Sequence, residues 1–269
     1  MLIERILALA AAAVVAIALG VGLVILAASP PPPPGGAPLA ALAPPPDKGS
    51  ARQTVETVIA QAPEYARFFA RLRETFTQDY EETIKEFATR LSDTKTEQSP
   101  DYYLSEAMRR LRQSRGAFAA KAESQAMSRV FAKQLEVLQA IAREDQKLCV
   151  AFLYGANNLD FQRFASTKRA LVADMSGASL DAMVSGQAKN IARDQPTEAD
   201  FKSLEAALAA RGLGKAEIDA LLDGKMPDPP LEDAKMCAAG QTYLEVLRTL
   251  PEASRIRIYG LALELMAKS

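Results

Sequence analysis

Residues 63–91, PEYARFFARLRETFTQDYEETIKEFATRL, decide the fold class. Apolar side chains recur here every three or four positions, from Tyr65 to Leu91. This spacing places them on one face of an α-helix, whereas a half-buried strand would need strict alternation. The segment therefore predicts one long amphipathic helix that begins near Pro63, because proline is well tolerated in a first helical turn.

Helical periodicity continues around this segment and predicts an all-α, bundle-like domain over residues 50–269. Trp is absent, and Ala and Leu are abundant. The abundance of Ala and Leu also favours helices, because these residues lose little side-chain entropy in them. We divide the domain into a long-helix part, residues 50–175, and a short-helix part, residues 176–269. Gly116 is expected to break or kink the helix in which it lies.

The short-helix part carries clear start and stop signals. One helix is predicted from Ser179, and another follows Thr197, an N-cap residue with Asp200 three positions later. Gly212 and Gly214 end that helix and lead into a second short one, so a helical hairpin is expected. Its second helix is not basic, and we therefore predict packing rather than DNA recognition.

Before the domain, residues 6–28 are 23 residues without a charge. As a helix they would span about 34 Å, enough to cross a bilayer core of about 30 Å. We predict an uncleaved transmembrane helix after a short cytoplasmic start, residues 1–5. A cleaved signal peptide stays an alternative, although a secretory apolar region is usually about 7–15 residues long.

Arg5 precedes the span, and the positive-inside rule then places the domain on the exported side. The predicted location is the inner, cytoplasmic membrane, with a single pass and a periplasmic domain. Small residues recur every four positions in the span, at Ala8, Ala12, Ala16 and Gly20. Such a face would let two helices pair and form a homodimer, although an alanine-rich segment also produces it by chance.

Between anchor and domain, residues 29–49 form a Pro-rich linker. Ser29 to Lys48 contains nine prolines and two glycines, and proline excludes regular helix and sheet. In polyproline II geometry, twenty residues reach about 60 Å. We interpret the linker as a disordered spacer; a PxxP ligand for an aromatic groove is the alternative.

Two neighbouring segments of the domain carry opposite charge. Residues 74–86 have a net charge of −4, and residues 109–133 have +6. We expect an antiparallel helical pair in which charge sets the orientation. The alternative is a surface that contacts anionic lipid or another polyanion, through Arg109, Arg110, Arg112, Arg115, Lys121, Arg129 and Lys133.

The chain has two cysteines, Cys149 and Cys237. On the exported side of a membrane the environment is oxidising, so we predict a disulfide between them. Two separate buried thiols are the alternative. A disulfide would join the long-helix part to the short-helix part.

The residue inventory limits the chemistry. The chain contains no His, which excludes a Ser-His-Asp triad and His-ligated metals, and two cysteines are too few for a four-thiolate site. Ser92-Asp93-Thr94-Lys95 matches the SxxK spacing, but the SDN and KTG partners are missing. No metal site, cofactor or nucleic-acid partner is predicted.

The expected function is therefore not enzymatic. We predict a membrane-anchored structural or adaptor protein that binds another protein in the cell envelope. One alternative is an envelope enzyme of the glycan-cleaving type, which can work with carboxylates alone. A second alternative is a soluble exported helical protein, released by signal cleavage.

Overall fold

A computed structural model of the chain describes residues 48–155, 158–224 and 228–268. These ranges contain twelve helices and no strand, which confirms the all-α prediction for them. The helices are α1 (Lys48–Ala60), α2 (Pro63–Thr75), α3 (Thr77–Thr94), α4 (Pro100–Ala119), α5 (Ser124–Ala142), α6 (Gln146–Leu153), α7 (Leu159–Thr167), α8 (Arg169–Lys189), α9 (Glu198–Ala210), α10 (Lys215–Leu222), α11 (Asp233–Thr249) and α12 (Glu252–Lys268).

The predicted long helix over residues 63–91 is wrong in one respect, because it breaks at Phe76. This residue has φ −126° and ψ 59°, outside the helical region, and its side chain is buried. The break lets the two halves of one apolar stripe face different partners. Helix α2 packs against α8, and α3 packs against α1.

Helix α8 lies at the centre and packs against α2, α4 and α5. It begins at Arg169, ten residues before the start predicted from the sequence, and the predicted division at 175/176 falls inside it. Its buried positions include small residues such as Ser176, Ala178 and Ala182, which allow close approach on several sides. Gly186 is the closest approach: a Cβ there would lie 1.7 Å from the carbonyl oxygen of Phe118.

The expected break at Gly116 is also wrong, since α4 continues to Ala119. Gly116 instead allows the close packing of α12 on α4, because a Cβ on it would lie 2.8 Å from that of Ala267. The chain turns at Ala120–Glu123. Arg193 holds this turn by donating hydrogen bonds to the carbonyls of Ala120 and Ala122.

The predicted hairpin of α9 and α10 is present and packs against α11. Thr197 and Asp200 form a complete capping box at the start of α9, as predicted. Asp200 also receives two hydrogen bonds from Arg257 of α12, at 2.9 and 2.6 Å. These bonds hold the pKa of the Asp200 carboxyl well below its usual range.

A second buried carboxylate, Asp101, joins three helices. It accepts a hydrogen bond of 2.6 Å from the Tyr65 hydroxyl of α2. It also accepts two bonds, of 3.1 and 3.0 Å, from Arg169 of α8. Burial and the bond to Asp101 raise the pKa of the Tyr65 hydroxyl far above its ordinary value.

The described ranges contain no helix whose length and apolarity would suffice to span a bilayer. The predicted anchor, residues 6–28, lies outside these ranges, as does its pairing face Ala8, Ala12, Ala16 and Gly20. Most of the predicted linker also lies outside them. Helix α1 begins at Lys48, two residues before the predicted start of the domain.

Candidate partner-binding surface

The two segments of opposite charge lie side by side, on α3 and α4. Asp79 of α3 binds Arg115 of α4 at 2.9 Å and also accepts a hydrogen bond from Ser114. Two turns further along α3, Glu86 pairs with Arg110. The order of these pairs runs in opposite directions along the two helices, which is the predicted antiparallel arrangement.

The remaining predicted cations of this stretch fall into two groups. Arg109 binds Glu106 on its own helix, and Lys133 binds Glu136 and Asp174 at 2.7 and 3.3 Å. The hydrogen bonds that both cations donate to these carboxylates raise the pKa of each cation. Four of the seven predicted contacts to an anionic surface, counting Arg110 and Arg115, are therefore neutralised within the domain.

The other three are Arg112, Lys121 and Arg129. None of them forms an ion pair with a carboxylate of the described ranges. Arg112 is half-buried, and burial together with the neighbouring Arg109 lowers the pKa of its guanidinium. The seven side chains thus lie on α4, on α5 and, for Lys121, in the turn between them, and four of them are paired within the domain. Binding to an anionic surface stays a prediction for the other three.

Cys149 and Cys237 lie at disulfide distance, with their sulfur atoms 2.01 Å apart and their Cα atoms 5.6 Å apart. The pair joins α6 to α11, in agreement with the predicted link between the two parts of the domain. Both side chains are buried, at 0 % and 2 % exposure. One turn further along α11, Gly240 leaves room for the side chain of Leu153 from α6.

Large apolar side chains are exposed where α6 ends and α7 begins. Tyr154 is 53 % exposed and Leu159 is 68 % exposed. We call these two residues the α6–α7 tip. Burying a leucine side chain is normally favourable by about 1.5–3 kcal/mol. Large apolar side chains exposed in this part of the surface therefore mark a place where a partner would gain free energy by binding.

Side-chain contacts position the helix ends that flank the α6–α7 tip. Phe152 stacks on Phe161 with the ring centroids 5.6 Å apart, and this places the end of α6 against α7. Asn158 caps α7 by accepting a hydrogen bond of 3.0 Å from the backbone N–H of Phe161. Cys149 lies one turn before the tip and connects α6 to α11.

Two shallow depressions lie on the surface of the described ranges. One follows α1 and is lined mainly by Ser, Thr and Gln side chains. The other lies at residues 142–146 and contains Glu144 and Asp145. Both of these carboxylates are occupied, since Glu144 binds Lys168 at 3.0 Å and Asp145 caps α6.

No family model matches the chain, and neither a curated protein nor a solved structure matches it. The class of protein that the fold defines is an all-helical one, within the ranges that the structure describes.

Sequence reasoning identified the cysteine pair and the charged helical pair, but it missed the α6–α7 tip. The available signal was the apolar run LCVAFLY at residues 148–154, which ends in the turn-forming residues GANN. Such a run usually indicates burial, and Leu148 and Cys149 are indeed buried. That its last residue is exposed depends on packing, which no local pattern reports.

Proposed function

We propose that this chain is a membrane-anchored adaptor whose helical domain binds another protein on the exported side of the membrane. Residues 6–28 would be the anchor and residues 29–49 the spacer. The cysteine pair supports this location, because disulfides persist in oxidising compartments and are rare in reducing ones. A 23-residue uncharged run before a Pro-rich segment supports the tether.

The observation that carries the binding role is the exposure of Tyr154 and Leu159, where α6 ends and α7 begins. Apolar and aromatic side chains that pack into a partner's groove supply most of the free energy of typical interfaces. The partner would therefore present an apolar groove that accepts one aromatic and one aliphatic side chain. Its affinity would be helped by the tether, which keeps both proteins at the same membrane.

No specific observation favours the glycan-cleaving alternative. That chemistry needs two carboxyl groups facing each other across a cleft, about 5–9 Å apart. The buried carboxylates of the described ranges are Asp101, Asp200 and Glu217. Each is bound by a cation, namely Arg169, Arg257 and Lys235 in that order.

The location is tested by the intact mass of native protein extracted from membranes and alkylated without prior reduction. A full-length mass without added alkyl groups is expected. A mass that lacks the N-terminal apolar run would show cleavage and a soluble exported protein. A full-length mass with two alkyl groups would show a reducing environment and overturn the proposed topology.

The binding role is tested by affinity purification of the tagged full chain from membranes. Leu159→Ser and the double change with Tyr154→Ser remove the apolar tip. Ile191→Ser is the matched control, because Ile191 is also an exposed large apolar residue, at 37 %, but lies beyond α8. We expect a set of proteins retained by the wild type and by Ile191→Ser and lost with the tip variants. Retention by all variants would remove the tip from the proposal.

A further inference from the structure

Helix α6 is held against α11 at two points. Cys149 is bonded to Cys237, and four residues later Leu153 fills the space left by Gly240. Residues three or four positions apart lie on one face of a helix, so each of the two helices presents both of its contacts on a single face. Two contacts along one face prevent α6 from sliding along α11 and from rotating about its own axis.

The position of α6 depends on such contacts. The helix has eight residues, and helices of that length are not stable on their own in water. Its fully buried residues are Leu148 and Cys149, which lie in its first half, and the four residues that follow are half-buried. The end of α6 is therefore positioned chiefly by Leu153 against α11 and by Phe152 against Phe161 of α7.

The space at Gly240 fits the end of the Leu153 side chain closely. A Cβ on Gly240 would lie 2.3 and 2.6 Å from the two Cδ atoms of Leu153 and 3.0 Å from its Cγ. Carbon atoms normally pack at about 3.5–4.0 Å, so no side chain at this position is compatible with the observed place of Leu153. Glycine weakens the interior of a helix relative to alanine, and the contact with Leu153 accounts for a glycine at this position of α11.

The α6–α7 tip begins at the next residue. Tyr154 follows Leu153 directly, and its backbone N–H donates a hydrogen bond of 3.3 Å to the carbonyl of Val150. The direction of Tyr154 is therefore fixed by the rotation of α6 about its axis. Any movement of Leu153 out of the space at Gly240 would also move Tyr154.

We infer that Gly240 is a positioning residue for partner binding: the space that it leaves fixes the end of α6 and thereby the direction in which Tyr154 is presented. The inference rests on the proposed function, because Gly240 acts only through the α6–α7 tip. Gly240 itself is buried and does not contact the partner.

The position of Tyr154 is measured with a fluorescent reporter. The chain contains no Trp, so Tyr154→Trp in the full, detergent-solubilised chain gives a single indole at the tip. Adding Gly240→Ala should increase the quenching of this indole by acrylamide, because the new methyl group displaces Leu153 and lifts the end of α6 from α11. Amide hydrogen exchange of residues 146–153 should become faster in the same variant. Unchanged quenching and exchange would overturn the inference.

Two further variants separate positioning from a general loss of stability. Leu153→Val added to Gly240→Ala moves one carbon from α6 to α11 and removes the two Cδ atoms that would collide. It should bring quenching and exchange back toward the values of the reporter chain. Gly177→Ala on α8 is the matched control, because a Cβ there would meet no neighbouring group of the described ranges within 4 Å. An effect that Gly177→Ala shares, or that Leu153→Val does not reduce, would refute the positioning role.

Circular dichroism and the absence of free thiols establish that each variant is folded with Cys149 and Cys237 paired. If Gly240→Ala does not fold, Leu153→Ala removes the same contact from the side of α6 and leaves α11 unchanged. It should also increase the quenching of the reporter. An unchanged signal in this variant would count against the inference as directly as one in Gly240→Ala.

Affinity purification of the full chain with Gly240→Ala, made without the reporter, distinguishes two failures. Retention of the proteins that depend on the tip should fall at least about tenfold, since losing the burial of one large apolar side chain weakens binding by that factor or more. Retention that is lost with the tip variants but kept with Gly240→Ala refutes the role of Gly240 and leaves the adaptor standing. Retention that is unchanged in all of them refutes the binding role of the tip and, with it, the role of Gly240.

Discussion

Two buried carboxylates in this molecule make the same contact with an arginine but differ in their other hydrogen-bond partners. Asp101 and Asp200 are 2 % and 3 % exposed, and each is bound through both oxygens by one arginine. Asp101 also accepts the hydroxyl of Tyr65, which is completely buried. Asp200 is further bonded by Ser254 and by Thr197, an exposed residue of its own helix cap.

The difference predicts that two ion pairs of the same geometry contribute differently to stability. A carboxylate is costly to remove when its partners are left buried and unsatisfied. Without Asp101, the Tyr65 hydroxyl has no access to water. Without Asp200, the Thr197 groups and the partly exposed Arg257 can be hydrated.

The largest expected effect is that of Asp101→Ala. It should lower the free energy of unfolding by about 3–5 kcal/mol, because it removes the bidentate pair with Arg169 and also leaves the buried Tyr65 hydroxyl without a partner. Denaturant unfolding followed by circular dichroism measures this value. Adding Tyr65→Phe removes the stranded hydroxyl, so the double variant should lose less than the sum of the two single changes. A loss below about 1 kcal/mol for Asp101→Ala would contradict this interpretation.

Asp200→Ala should lower the free energy of unfolding by a smaller amount, about 1–3 kcal/mol, since its partners regain water. Part of this loss is the helix cap alone. Thr197→Ala isolates that part and should cost about 1 kcal/mol. If Asp200→Ala were as costly as Asp101→Ala, the stranded hydroxyl of Tyr65 would not be the deciding difference.

The Asp200 pair also predicts a pH dependence. The folded-state pKa of this carboxyl is lowered, chiefly by Arg257, whereas the unfolded value is about 3.9. Its contribution is therefore fully present above about pH 5 and is lost as the pH falls through the folded-state pKa. The stability difference between the wild type and Asp200→Asn should narrow between about pH 5 and pH 3. A difference that widens on acidification would refute the assignment.

The smallest effect belongs to the partly exposed pairs between α3 and α4. Arg115→Gln removes the contact with Asp79 and should cost less than about 1 kcal/mol, because both groups remain partly hydrated. The loss should shrink further in about 1 M salt, which screens the wild-type pair. Matched unfolding curves at low and high salt test this. A larger loss that does not depend on salt would show that this pair contributes to stability in the same way as the buried pair of Asp101.

Contacts between residues that are close in the sequence are predictable from it, whereas contacts between distant residues are not. The capping box of Thr197 and Asp200 spans three residues and was expected from its pattern. Arg257 lies 57 residues beyond Asp200, and no periodicity relates the two. Asp101 follows Pro100 in a first helical turn, where acidic residues are common. The local sequence therefore gives no indication that its carboxylate binds buried partners.

The errors in the helix boundaries have the same origin. The apolar stripe of residues 63–91 has the same spacing before and after Phe76, and only the two different partners of α2 and α3 require the break. Helix α8 is buried on several sides through small residues, so it lacks the one-sided pattern that marks an amphipathic helix. The exposure of Leu159 likewise depends on how α7 packs.

The link between Cys149 and Cys237 has a mechanical consequence. It closes a segment with a sequence separation of 88 into a covalent ring that contains α7 to α10. A force that pulls the two ends of the chain apart cannot extend this ring, which withholds about 300 Å of contour length. Tyr154 and Leu159 lie inside the ring. A partner held there would stay attached to this ring while a force on the chain ends extends the helices outside it, α1 to α5 and α12.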